Sequence, residues 1–290
     1  MTDRTESILA VDIGGTKIAF AEVVGARLSN RRQISTPRTG GGDALVDAIA
    51  AEIKNSRASR FGVATTGIVS DGTLTALNPV TLPIEDRYPL AARLMSATGM
   101  NPVVVNDAQA AAWGEYNFGA GRDCRSFMFV TVSTGVGGGL VLDGRLQIGT
   151  LGLAGHVGHM TVRGQDLACG CGRRGCLETI ASGTAIARRF SELTGRPVAA
   201  PAVFEAASSG DPEAERALED AAAALAQAFG NVVATNDVDR IAIGGGVGLA
   251  SGFLKRVRIH VARLPIMFQR PIVAAQAGGD AGILGVANLV

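Results

Sequence analysis

The chain has no excess of charge of either sign: 27 Lys and Arg face 26 Asp and Glu across 290 residues, a formal net charge of +1. A balance so near zero gives no electrostatic footprint for nucleic acid or an anionic membrane surface. A secretory apolar region is also lacking, because the opening Met-Thr-Asp-Arg-Thr-Glu-Ser is polar and runs straight into a strand. No uncharged stretch suits a membrane helix: 221–236 carries Gln, Thr and Asn and reads as a core helix, while 126–142 is short and broken by glycine. Two nucleotide-binding signatures are missing. No Gly-x-x-x-x-Gly-Lys-Ser/Thr occurs, and no Gly-x-Gly-x-x-Gly opens a helix after the first strand. Cysteine is scarce, at four residues, and three of the four are grouped as for a metal, which fits a reducing cytoplasm better than an oxidising compartment. What remains, 47% hydrophobic and 18% charged, is the composition of a soluble globular chain with room for one large or two medium domains.

The grouped cysteines lie in the segment 156–178, which also holds two of the three histidines, His156 and His159. Cys169-Gly-Cys171 can scarcely bridge to itself, and three thiols leave one over. One imidazole and three thiolates complete a tetrahedral structural zinc site, best met by His159, Cys169, Cys171 and Cys176. Gly170, Gly172 and Gly175 would let the backbone wrap around the ion. The competing reading is three small core-filling cysteines.

The 39 glycines cluster instead of spreading, which suggests backbone brought close to something. Residues 8–12 form an apolar run ending in an acid, and Gly14-Gly15 then makes a tight hairpin to a strand over 17–25. An edge strand follows over 28–36. A helix over 43–56 has Asp43 as a reasonable N-cap. A buried strand over 61–65, a helix over 90–98, a buried strand over 102–105 and a helix over 108–116 complete this part. A second unit repeats the pattern: a strand over 127–132, a glycine-rich turn over 133–139 and a return strand over 140–142. Helices over 184–193, 202–208 and 213–235 come next. A strand over 240–243 runs into Gly244-Gly245-Gly246. A helix over 252–264, a strand over 272–275 and a helix over 281–289 finish the chain. Strands alternating with helices indicate an α/β fold, and the repeated strand–turn–strand suggests two similar halves with a cleft between them.

Three glycine turns could handle phosphate. Asp12, Gly14, Gly15, Thr16 and Lys17 combine a carboxylate able to hold Mg²⁺ through water with amides that nothing in the hairpin would consume. Thr134, Gly135 and Gly137 offer a second pocket, and bare backbone at Gly244, Gly245 and Gly246 could seat adenosine. Each alone is an ordinary turn; three at strand ends indicate an ATP cleft. Asn106-Asp107 ends a strand and begins a helix, so Asp107 fits either an N-cap or the carboxylate that takes a proton from a phosphoryl acceptor. Thr66, Gly67 and Asn78 are turn residues of the kind that also read sugar hydroxyls.

Taken in order, 12–17, Asn106-Asp107, 133–139, Gly158-His159 and Cys169-Gly-Cys-Gly-Arg-Arg-Gly-Cys-Leu-Glu178 resemble the ROK (repressor, open reading frame, kinase) family over the full length of the chain. The resemblance implies an actin/hexokinase-like (ribonuclease H-like) fold of two lobes, 1–116 with 277–290 and 117–276, holding ATP and sugar in the cleft. It implies Asp107 as catalytic base, with Asn106, Gly135, His159 and Glu178 at the sugar, a structural Zn²⁺, Mg²⁺ with ATP, and a homodimer. ROK glucokinases typically read Ala-Gly-Glu-x-Gly-His where this chain has Ala154-Gly-His156-Val-Gly-His159. That substitution, with 64–69 and 106–116, resembles the bacterial N-acetylmannosamine kinases within the family and makes His156 the expected specificity residue. The expected activity is ATP-dependent 6-phosphorylation of N-acetylmannosamine in sialic acid catabolism. Glucose or another N-acetylhexosamine is the nearest alternative. A sugar-sensing regulator is more remote, since the first turn begins at Asp12 without room for a preceding DNA-binding domain.

Overall fold

The structure, a computed structural model, describes residues 6–77, 81–163 and 166–290. In chain order the first elements are β1 (Ile8–Ile13), β2 (Lys17–Val24), β3 (Arg27–Ser35), α1 (Gly41–Lys54), β4 (Arg60–Thr65), β5 (Ile68–Ser70), β6 (Thr73–Thr75), α2 (Leu90–Thr98), β7 (Val103–Asn106) and α3 (Asp107–Phe118). Then follow β8 (Phe127–Val132), β9 (Val136–Leu142), β10 (Arg145–Gln147), α4 (Glu178–Ala181), α5 (Gly183–Thr194), α6 (Ala200–Ser208), α7 (Pro212–Asn236), β11 (Arg240–Gly244), α8 (Phe253–Val261), β12 (Ile272–Ala274) and α9 (Ala281–Leu289). They form two compact units. The first comprises Met1–Arg122, Leu146–Ala154 and Ala277–Val290; the second comprises Asp123–Arg145 and Gly155–Gln276.

In the first unit the sheet order is β3-β2-β1-β4-β7, with β1 antiparallel to β2 and parallel to β4, and β4 parallel to β7. Because strand side chains alternate, β1 serves two cores. Leu9, Val11 and Ile13 pack with Leu45, Ile49 and Ile53 of α1, whereas Ile8 and Ala10 join Ile283, Val286 and Ala287 of α9. A strand covered by helices on both faces reads as one continuous apolar run, which is how Ile-Leu-Ala-Val appears. The register brings the carboxyl ends of three strands to one edge, where Ile13 pairs with Thr65 and Thr65 with Asn106. Open α/β sheets place their chemistry at that edge.

The second unit repeats the order as β10-β9-β8-β11-β12, again with one antiparallel hairpin and parallel neighbours. Its core is organised by α7, whose alanine-rich inner face lets α4, α5, α6 and α8 approach closely. Asp211 caps α7 by accepting from the Glu213 and Ala214 amides, with Pro212 in the first turn where its missing N–H costs nothing.

Three expectations are corrected. Asp43 is not an N-cap: α1 begins at Gly41 after Gly40 in the left-handed region, and Asp43 instead accepts from Tyr88 Oη at 2.5 Å and Arg93 at 2.6 Å. The glycine-rich stretch 133–139 is not all turn. Gly137, Gly138 and Gly139 lie in β9 opposite Thr131, Val130 and Phe129. Glycine is needed there for close approach, since a Cβ on Gly138 would stand 2.7 Å from the Gly155 carbonyl oxygen. The Gly14 amide, expected to be unconsumed, donates to Lys17 O at 3.0 Å and closes the hairpin.

Helices α3 and α9 meet backbone to backbone. A Cβ on Gly114 would overlap the Ala281 carbonyl, and one on Gly285 the Ala110 carbonyl. Gly285→Ala should therefore destabilise by about 1–3 kcal/mol through overpacking, read as a lower urea midpoint. Gly279→Ala, where a Cβ meets nothing within 4 Å, should shift stability by no more than about 0.5 kcal/mol.

Candidate active site and metal centre

The first unit presents Asp12, the Gly14–Lys17 turn, Asn106 and Asp107. Gly15 faces Thr81 so closely that a Cβ would stand 2.6 Å from Thr81 Cγ2, and Arg38 braces the turn by donating to the Gly15 and Thr81 carbonyls at 2.9 and 3.2 Å. Among the described residues, the Gly15 and Thr16 amides donate to no protein acceptor. Thr66 and Gly67 follow β4, and Asn78 lies outside the described residues.

Asn106, not Asp107, caps α3. Its Oδ1 accepts from the Ala108 and Gln109 amides at 2.9 and 3.1 Å, and its Nδ2 donates to Gly67 O at 2.8 Å. Asn106 is thus the N-cap of α3, and Asp107, one residue on, keeps its carboxylate for other work. One Asp107 oxygen does accept from the Ala108 amide at 2.7 Å. Burial, joined by the nearby charge of Asp12, pushes the Asp107 carboxyl up to about 7. Asp12 is itself raised by burial, opposed by Lys17. Two carboxylates that disfavour each other's charge invite a cation, and Asp12 at the end of β1 is the residue that would hold Mg²⁺.

In the second unit the β8–β9 turn holds Thr134 and Gly135, with Gly137 already within β9. Glu178, the first residue of α4, accepts from the Val136 amide at 2.9 Å, and only glycine at 135 permits this, since a Cβ there would lie 2.6 Å from Glu178 Oε2. Gly244 ends β11; Gly245 turns with φ of 84°, and a Cβ there would strike the Val132 carbonyl, while Gly246 is open.

The loop after β10 gathers His159, Cys169, Cys171 and Cys176, whose ligand atoms all lie within 4.8 Å of one another. Tetrahedral zinc, with Zn–S of about 2.3 Å and Zn–N of about 2.0 Å, sets sulfurs about 3.8 Å apart and sulfur and nitrogen about 3.6 Å apart. Cys171 and Cys176 Sγ are separated by 3.7 Å, and Cys169 Sγ stands 3.6 Å from His159 Nδ1. The four residues fit the ion. Their loop is a small hairpin closed by Cys169 N to Arg173 O at 2.8 Å, and Arg173 reaches back to His159 O at 3.0 Å. Burial and the neighbouring sulfurs push the Cys176 thiol up to about 12, and burial raises Cys169. Against burial, Cys171 is lowered by hydrogen bonds from the Arg173 amide and the other two thiols, so binding an ion to all three thiolates releases the protons that Cys169 and Cys176 hold.

His156 sits three residues before His159 with its Nε2 buried and without a partner among the described residues. Burial, then the His159 charge, lowers it to about 4, so it is neutral at physiological pH and Nε2 can serve as donor or acceptor according to tautomer.

Two buried polar residues of α3 escaped the sequence reading. Glu115, with no exposure, accepts from the Ala120 and Ala277 amides at 2.9 and 2.7 Å. Gln109, equally buried, donates from Nε2 to the Gly152 and Ala154 carbonyls. The available signal was a polar residue in an alanine run, Asp-Ala-Gln-Ala-Ala-Ala.

A ROK family sequence profile matches residues 8–290. The chain belongs to the ROK family. The ROK chain is 45% identical over 287 residues to the N-acetylmannosamine kinase of Citrobacter koseri, spanning 98% of both, and 44% identical over 284 residues to that of Yersinia pestis, spanning 96% of both. Among solved structures, the ROK hexokinase from Thermus thermophilus matches with TM-score 0.87 and 33% identity, over 97% of this chain and 96% of that one. A ROK family glucokinase from Streptomyces griseus, solved with glucose and AMPPNP, matches with TM-score 0.81 and 32% identity, over 98% and 99%. These likenesses establish the actin/hexokinase-like fold of ROK sugar kinases.

Two outcomes test this geometry. Purified protein should carry about one zinc per chain by elemental analysis, and Cys176→Ser should lose most of it. In a spectroscopic titration Asp107 should change charge near pH 7, and Asp12→Asn should lower that midpoint, because it removes a like charge.

Proposed function

We propose that the protein is an ATP-dependent sugar kinase that phosphorylates the 6-hydroxyl of N-acetylmannosamine, yielding N-acetylmannosamine 6-phosphate and ADP in sialic acid catabolism. The observation that carries the chemistry is Asp107, a carboxylate released from capping by Asn106 and tuned to about 7. The choice of sugar is supported by near full-length likeness to N-acetylmannosamine kinases and by His156.

In the proposed reaction the O6–H bond gives its proton to Asp107 as O6 bonds to the γ-phosphorus and the bond from that phosphorus to the β-bridging oxygen breaks, with ADP leaving. A base with pKa near the working pH combines a useful ionised fraction with adequate proton affinity. The Gly15 and Thr16 amides, and the turns at Thr134–Gly135 and Gly244–Gly246, are suited to phosphate oxygens and adenosine. Mg²⁺, when bound at Asp12 with ATP, supplies charge neutralisation at the phosphates. Glu178, His159 through Nε2, His156, Asn106 and the Thr66–Gly67 loop are the residues we assign to the sugar. Asn78 belongs to the same assignment. Zinc on His159, Cys169, Cys171 and Cys176 would order the segment carrying two of these groups; its chemistry is structural. Cysteine usage and the family likeness support a cytoplasmic enzyme working as a homodimer.

Asp107→Asn should lower kcat by about 10²–10⁴-fold with zinc content unchanged, and substantial residual turnover would sink the base assignment. For wild type, log kcat/KM should fall with unit slope as pH drops below about 7, since the protonated carboxyl cannot accept the proton. A coupled-assay panel of hexoses decides the sugar: preference for glucose over N-acetylmannosamine would reject our choice while leaving the kinase reading intact.

A further inference from the structure

Gln109 is fully buried, and its carboxamide is committed in an unusual way. Both polar contacts run from Nε2, at 3.2 Å to the Gly152 carbonyl and 2.9 Å to the Ala154 carbonyl, while Oε1 has no partner among the described residues. Two carbonyl acceptors fix which end of the amide faces them, so the unpaired acceptor is a consequence of the clamp. An unpaired buried oxygen costs stability, and an apolar residue of the same size would avoid it. Core stability therefore does not account for glutamine here; the two donated bonds do.

What they hold is the strap Leu146–Ala154, which runs through the first unit and continues directly into Gly155 and His156. Leu146 anchors the start of the strap against the core shared with α9, but further along Leu151 and Leu153 are turned outward at 65% and 46% exposure. Residues 149–154 are held by Gly152 packed against the Val69 carbonyl, by Ser70 Oγ donating to Thr150 O at 3.3 Å, and by Gln109. Gln109 acts at the strap's far end, two residues before His156. It also sits two residues after Asp107, on the same rigid helix.

We propose that Gln109 is a positioning residue for the sugar: it fixes the strap that leads into His156 from the helix that presents the catalytic base. The proposal rests on the reading of His156 as a sugar-contacting residue. It predicts an effect on sugar recognition that spares ATP and the chemical step. The variants are Gln109→Met, which keeps the volume and removes both donors, and Gln109→Asn, which keeps the amide but shortens its reach and guards against a folding defect. Steady-state kinetics use whichever hexose wild type prefers, alongside hydrogen exchange of the strap amides. We expect Gln109→Met, which loses both donated bonds, to accelerate strap exchange and to raise sugar KM by about tenfold or more. Discrimination between sugars should narrow, with kcat and ATP KM within about twofold of wild type. Unchanged strap protection overturns the proposal. So does a loosened strap with unaltered sugar KM, or a loss falling equally on kcat and ATP. If wild type prefers glucose, the substrate assignment fails while the Gln109 test proceeds on glucose.

Discussion

The side chain of Asn106 joins three parts of the first unit at once. By accepting two amides of α3 and donating to the Gly67 carbonyl, it starts the helix, ties it to the loop after β4, and leaves Asp107 with the Ala108 amide alone among the amides of the first turn. The capping task that an aspartate at a helix start would otherwise perform falls to Asn106, and Asp107 can serve as the base we propose. The parallel register of β1, β4 and β7 then brings Asp12 to the same sheet edge, and its charge helps hold the Asp107 carboxyl near 7.

That tuning opposes stability. Relative to an ordinary value of 3.8, the folded protein binds the Asp107 proton more tightly than the unfolded chain does. Above pH 3.8 the unfolded chain gains stabilisation from ionising first, so the contribution of Asp107 to folding declines as pH rises from about 4 to about 7. Two half-buried carboxyls raised above their ordinary range are a local cost to the fold. The second unit uses a different device. There the loop sulfurs close on one another, and Arg173 and the Glu178–Val136 bond tie the loop to the histidine segment and to the β8–β9 turn.

Much of this was legible in the sequence, because the signals were local. The β1–β2 hairpin, α2, β8 and α9 follow from apolar runs and turn residues, and the clustering of His159, Cys169, Cys171 and Cys176 from their spacing. The failures were non-local. Asp43 looks like a cap, but Arg93 and Tyr88, distant in sequence, claim its carboxylate, and Glu85 accepts from the Gly42 amide instead. Gly137, Gly138 and Gly139 look like a turn because sequence does not reveal that another backbone segment packs on β9. The pKa of Asp107 and the clamp of Gln109 depend on strand register and on a strap remote in sequence, and neither leaves a periodic trace.

The contact between α3 and α9 has a further meaning for how the molecule is made. Gly114 and Gly285 let the two helices touch through their main chains, so the helix bearing Asp107 lacks this packing partner until α9 exists. Helix α9 leaves the ribosome long after α3, with the whole second unit synthesised in between. Until then the cluster around Ile8 and Ala10 lacks Ile283, Leu284, Val286 and Ala287. The sheet edge that carries Asp12 and Asp107 gains its α9 packing only after the second unit has been made.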